Sequence, residues 1–183
     1  MRIVVVGTSG SGKSTMAKAL SQALAIPHVE LDALNWQPGW RDLAIHEPEE
    51  FYRRVATTAA GDAWVADGNY TVARSALWPR ATAFVWMDLE RAAIMRQVVW
   101  RSFNRAVTKK ELWPGTGNRE EFRRWLDPEH PIRWAWDKWA PNRARYGELF
   151  AGGTCEGRPV HRVGDRKSAR DLVAQLRAEA FPL

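Results

Sequence analysis

Cysteine is nearly absent from this sequence: Cys155 stands alone among 183 residues. A disulfide framework within the chain is therefore impossible, and a reducing cytoplasm is the expected setting. No apolar run approaches the roughly 20 residues that a membrane-spanning helix needs, and no charged-then-apolar leader precedes the first strand. The expectation is a soluble, cytoplasmic protein with no membrane partner. The four histidines (His28, His46, His130, His161) show no metal-ligand spacing, and no Ser-His-Asp arrangement is supported. No internal repeat or low-complexity tract is visible. These absences exclude secreted disulfide scaffolds, membrane spans, histidine-cysteine metal centres and repeat architectures. A chain of this length suits a single domain, residues 1–183, with its own core and room for a small inserted lid.

Against that background stands Gly7-Thr8-Ser9-Gly10-Ser11-Gly12-Lys13-Ser14, a complete G-x-x-x-x-G-K-[ST] loop. Before it, Ile3-Val4-Val5-Val6 reads as a buried strand; after it, Thr15 to Leu24 carries Ala, Met and Leu at helical spacing. Strand, glycine loop and helix form the context in which this pattern binds a phosphate chain. The backbone N–H groups curl around the phosphates and the helix N-terminus adds its positive end. The candidate nucleotide-binding residues are Gly7, Ser9, Gly10, Ser11, Gly12, Lys13, Ser14 and Thr15. Lys13 can reach the β and γ phosphates, and the Ser14 hydroxyl can ligate Mg²⁺.

Periodicity gives strands at Ile3–Val6, His28–Leu31, Ala63–Ala66, Ala83–Met87 and Pro159–Val163. Helices are expected at Ser14–Leu24, Glu49–Ala60, Arg91–Ala106, Arg119–Leu126, Ile132–Phe150 and Ser168–Ala180. Five strands interleaved with helices imply an α/β fold of three layers, a parallel sheet covered on both faces. Pro141 should kink or restart the helix it falls in.

Two strands end in acids. Trp64-Val65-Ala66-Asp67-Gly68-Asn69-Tyr70 and His28-Val29-Glu30-Leu31-Asp32 both carry a carboxylate where open α/β sheets bind ligands. Asp67 can hold Mg²⁺ together with Ser14; Asp32 can take a proton from an acceptor hydroxyl or orient a water. The loop Leu34 to Arg41 looks acceptor-facing, with two tryptophans and a cation. Asp32, Trp36, Arg41, Gly68, Asn69 and Tyr70 are thus candidate acceptor residues, although Asn69 and Tyr70 could equally cap the next helix.

Charge is concentrated. Between Glu90 and Tyr146 lie thirteen Lys and Arg against seven Asp and Glu, an excess equal to the +6 of the whole chain. Six of the eleven tryptophans lie between Trp100 and Trp139. A basic, aromatic segment can serve nucleic acid, or form a lid that closes on polyphosphate. The loop Trp113-Pro114-Gly115-Thr116-Gly117-Asn118 splits it into two arms, as a lid would be, and places the lid at residues 101–126. Arg101 and Arg105 stand four apart on one expected helix, as do Arg119 and Arg123, and each pair needs an anion or open water to offset its repulsion. These four are the candidate phosphoryl-steadying residues, with Arg96 in support.

Taken together, Gly7–Thr15, Leu31-Asp32, Trp64–Tyr70 and the arginine-rich region resemble the adenylate-kinase-like family of P-loop kinases. They resemble more closely a bacterial subgroup described as DNA topology modulation proteins or adenylate kinases. Its patterns L-D-x-L-x-W-x-P-G-W, W-V-x-D-G-N-Y and E-L-W-x-G-N-R-E match Leu31–Trp40, Trp64–Tyr70 and Glu111–Glu120 here, the last with Thr116-Gly117 stretching the spacing. The resemblance implies a P-loop NTPase fold with strand order 2-3-1-4-5 and an arginine lid between strands four and five. It also implies a Mg²⁺- and ATP-dependent kinase, with ATP along Gly10–Thr15 and its base near Gly164–Lys167. Adenylate kinases proper have Asp-Gly-Phe-Pro-Arg where this chain has Asp67-Gly68-Asn69-Tyr70-Thr71, so AMP does not carry over as acceptor. The expected function is phosphoryl transfer to a small-molecule or nucleotide acceptor. The alternatives are a nucleic-acid-binding ATPase and an antibiotic-type phosphotransferase.

Overall fold

The computed structural model describes residues 1–127 and 130–182; Glu129, counted above among the acids, lies outside the described residues. The chain runs β1 (Arg2–Gly7), α1 (Lys13–Leu24), β2 (His28–Glu30), α2 (Leu31–Asn35), α3 (Pro48–Thr58) and β3 (Trp64–Asp67). It continues through α4 (Thr71–Leu77), β4 (Ala83–Met87), α5 (Arg91–Thr108), α6 (Pro131–Leu149), β5 (Arg158–Val163) and α7 (Arg166–Ala180). The five long strands are parallel and stand in the order β2-β3-β1-β4-β5, the 2-3-1-4-5 arrangement that the resemblance implied. A two-residue strand, Thr154–Cys155, adds an antiparallel edge beside β5 that periodicity did not anticipate.

Alternation along β1 explains the layers. Val4 and Val6 point to one face with Val29, Ala66, Phe84 and Trp86, where α3 and α4 cover them through Phe51, Val55, Ala73 and Leu77. Ile3 and Val5 point to the other with Val65, Val85 and Met87, under Met16 and Leu20 of α1, Ile94 and Val98 of α5, and Leu172 and Leu176 of α7. Each fully buried aliphatic or aromatic side chain in these layers is worth about 1.5–3 kcal/mol. The α6 helix spans both faces, with Ala135 in one core and Tyr146 in the other.

Two local expectations are corrected. The helix does not restart at Pro141: α6 runs as one helix from Pro131 to Leu149. Proline removes one helical donor, but the helix is pinned on both sides of it. Trp139 Nε1 donates to Leu89 O at 3.1 Å before it, and Arg143 meets Asp88 at 3.0 Å after it. The second correction concerns Arg119–Leu126, which is not an α-helix. Arg119 bridges Glu111 in an antiparallel pair, and only Phe122–Leu126 turns, as a 3₁₀ helix. Gly115 and Gly117 take positive φ and fold this segment back on itself instead. Among the described residues, no helix is long and apolar enough to cross a membrane.

Gly68 follows β3 at φ 144°, and a Cβ there would lie 2.8 Å from Leu31 Cβ. Close packing of the start of α2 against the end of β3 thus requires glycine. Gly68→Ala should destabilise the fold by about 1–3 kcal/mol, measured as the free energy of denaturant unfolding.

Candidate active site

The site lies at the carboxyl ends of β1, β2 and β3. The loop after β1 turns tightly, with Ser11 N donating to Thr8 O at 3.1 Å, and α1 begins at Lys13. Gly10 sits under α5: with φ 82°, a Cβ there would come within 2.9 Å of Val98 Cβ. Helix α5 therefore lies directly on the loop, and its next turn carries Arg101 toward Lys13.

Four of the charges named from the sequence meet here. Lys13 is partly buried and its Nζ donates to Thr8 O at 3.2 Å. Burial pulls the Lys13 amine below its ordinary pKa, the negative charges of Asp32 and Asp67 oppose that shift, and Arg101 adds to it. Arg101 is itself lowered to about 10, first by burial and then by Arg105, against the pull of Asp32 and Glu120. Its Nε is buried without a hydrogen-bond partner. Two cations facing two carboxylates, with one guanidinium N–H unused, form a receptor for an anion that is more demanding than a solvated helix face.

Asp67 is 4 % exposed, and both its oxygens are engaged. Ser14 Oγ donates to Oδ2 at 2.6 Å, and His28 Nε2 lies 2.6 Å from Oδ1. Asp32, in the first turn of α2, accepts from the Tyr70 hydroxyl at 2.8 Å. Burial, and then the Asp32 charge, push the Tyr70 phenol far above its ordinary pKa, so it remains a donor. Among the described residues, no three His, Cys, Asp or Glu side chains are grouped to hold a metal. The oxygen pair of Ser14 and Asp67 suits a hard cation that keeps waters and takes its other ligands from phosphate, as Mg²⁺ does.

Other candidates lie elsewhere. Asn69 turns to the loop backbone: its Nδ2 donates to Gly7 O at 2.6 Å, and its Oδ1 accepts from Tyr146 at 3.1 Å. It holds the loop to β3, a role the sequence reading did not assign. Arg41 pairs with Glu47 at 2.7 Å. Arg96 and Arg119 are exposed, and Arg123 is 83 % exposed and paired with Glu121. Arg119 and Arg123 do not share a helical face, because the helix expected there does not form.

Trp36 stacks on Trp113 (centroids 6.1 Å, 20°), and Trp40 stands edge-on to both. Arg124 lies over the Trp40 ring at 4.3 Å. Beneath them Asn118, 2 % exposed, donates to Gln37 O at 2.9 Å and accepts from Trp40 N at 3.0 Å. Trp40 has φ 63°, a left-handed conformation that costs a bulky residue of order 1–3 kcal/mol. The Leu31–Trp40 and Glu111–Glu120 motifs are thus two halves of one junction. Sequence reasoning missed this, and it missed His28. The signal for His28 was available, since strand order sets β2 beside β3 and Asp67.

A curated relative, a shikimate kinase from Symbiobacterium thermophilum, is 40 % identical over 104 residues, 49 % of this chain and 59 % of that protein. The chain thus spans less than two thirds of this relative. Shikimate kinase structures from Aquifex aeolicus and Bacteroides thetaiotaomicron superpose with TM-scores of 0.54 and 0.55. Their identities are 15 % and 16 %, and 99 % or more of each chain is covered in both cases. The fold is that of the shikimate kinases. No family model matches the chain.

Asn118→Ala would orphan Gln37 O and Trp40 N. We expect a loss of about 1–3 kcal/mol, accompanied by a red shift of tryptophan fluorescence as the Trp36, Trp40 and Trp113 cluster opens to water.

Proposed function

We propose that the chain is a Mg²⁺- and ATP-dependent kinase that transfers a phosphoryl group to a hydroxyl of a small-molecule or nucleotide acceptor. The observation that carries this reading is the convergence of Lys13, Asp32, Asp67 and Arg101 beside the glycine loop. The 40 % identity to a shikimate kinase supports the reaction class. The tryptophan motifs around Trp36 and Trp113 support membership in the bacterial adenylate-kinase-like group that they resemble.

In this reading the Gly7–Thr15 backbone grips the ATP phosphates and α1 adds its positive end. Ser14 and Asp67 would hold Mg²⁺, which would supply charge neutralisation to the phosphates. Lys13 leaves Thr8 O for the phosphates, and an arriving anion relieves the cost of its buried charge. Arg101, with Arg105 one turn on, steadies the moving phosphoryl group through its unused Nε–H. Asp32 receives the acceptor's hydroxyl proton, held in place by the Tyr70 hydroxyl. Trp36 lines the acceptor side. Residues 101–126 act as the lid, and Arg119 and Arg123 join the site only when it closes further. The ATP base lies by Gly164–Lys167, where Asp165 and Ser168 cap α7.

One surface favours a second reading. Trp100 and Phe103 are 64 % and 43 % exposed and stacked at 6.1 Å, beside Phe122 and one helical turn from exposed Arg96. That pattern suits single-stranded nucleic acid. A labelled oligonucleotide should then bind with steep salt dependence, and absence of binding at low salt removes the reading.

For the kinase, ADP release should be assayed across nucleoside monophosphates and small hydroxyl compounds. Lys13→Ala should abolish turnover with the circular dichroism spectrum intact, and undiminished turnover would overturn the assignment. Arg101→Ala should lower kcat by about 10²–10³-fold, whereas Arg123→Ala should cost far less.

A further inference from the structure

His28 opens β2, which lies in parallel register beside β3, with His28 opposite Val65 and Glu30 opposite Asp67. Its side chain is only 14 % exposed, and its Nε2 lies 2.6 Å from Asp67 Oδ1. An ionised carboxylate only accepts hydrogen bonds, so Nε2 carries the proton and donates it. The other oxygen of Asp67 takes the Ser14 hydroxyl at 2.6 Å. Asp67 is thus gripped from two sides, by a loop residue in front and by a neighbouring strand behind.

We propose that His28 is a positioning residue for the Mg²⁺ site: its Nε2–H anchors Asp67 Oδ1 so that Oδ2 stays turned toward Ser14 and the phosphate side of the loop. The proposal rests on the kinase reading above. Asp67 has a competing partner in Lys13, whose charge it already feels. A carboxylate without a donor behind it can swing toward that ammonium, drawing both groups away from the phosphates. Ser14 cannot prevent this alone, because its oxygen is the one lent to the cation. With Oδ1 held, Lys13 keeps its bond to Thr8 O and is released by phosphate rather than captured by Asp67. Groups that orient a ligand from behind commonly matter as much as the ligand itself.

The test compares ADP affinity by calorimetry in Mg²⁺ and in EDTA for the wild type, His28→Ala, His28→Phe and His28→Gln. The ratio of the two affinities reports the Mg²⁺ site, while thermal melting reports the fold. Phe keeps the ring bulk without a donor, and Gln returns an N–H near the position of Nε2. We expect the ratio to fall about tenfold in the Ala and Phe variants, with affinity in EDTA unchanged, and Gln to restore most of it. A wild-type ratio in His28→Phe, or a Gln variant as poor as Phe, overturns the proposal. If Ala unfolds, the Phe and Gln pair decides the matter. Wild-type protein that binds no nucleotide in either buffer overturns the kinase reading and this proposal with it, whereas Mg²⁺-dependent binding that ignores His28 overturns the proposal alone.

Discussion

Charge held out of water at the ends of three strands is the constraint from which the rest of this molecule follows. Burial works against the charge of both Lys13 and Arg101; Asp32 and Asp67 oppose that for Lys13, and Asp32 and Glu120 oppose it for Arg101. Removing a partner from such a group leaves an uncompensated charge, which costs far more than the intact pair gains. The four side chains come from α1, α2, β3 and α5, so the sheet, the loop and the helix above it must all be in register for the cluster to exist. The glycines at 10 and 68 follow from the same demand, since they let α5 and α2 approach closely enough to deliver Arg101 and Asp32.

Much of this was legible in the sequence because it depends on short-range rules. The β-branched run before Gly7 and the period-3.6 pattern after it could form only a strand and a helix around a glycine loop. Asp32 and Asp67 were legible for a similar reason: an acid at the carboxyl end of a parallel strand has few places to go. Arg101 and Arg105 fell on a true helix, close enough for each to feel the other's charge. What failed was the segment around Arg119. Its helical composition was overridden by a contact some eighty residues away, where Asn118 docks under Trp40. No periodicity can report a partner so distant. Pro141 failed in the opposite sense, since propensity favoured a break and tertiary anchors at Trp139 and Arg143 overrode it. Asn69 is a third kind of case: its position beside the loop was legible, but its hydrogen bonds to Gly7 and Tyr146 were not.

The comparisons and the geometry agree on the scaffold and differ in reach. The likeness to shikimate kinases fixes how the strands are wound. The acceptor is a matter for side chains: the loop after α2 carries Trp36 and Trp40, and its Arg41 is paired with Glu47. The phosphate end of the site is built from elements shared by many enzymes of this fold. Away from it, the Leu31–Trp40 and Glu111–Glu120 segments meet at the Asn118 junction.

The Asn118 junction gives those two motifs a common fate. Trp36 and Trp113 share one stacked face, and a single buried amide spans the backbone of one segment from the other. A substitution that reshapes the loop around Trp36 also disturbs the floor on which the 111–120 segment rests. Neither segment can shift by itself. Whatever the loop around Trp36 meets, its shape and that of the 111–120 segment are set together.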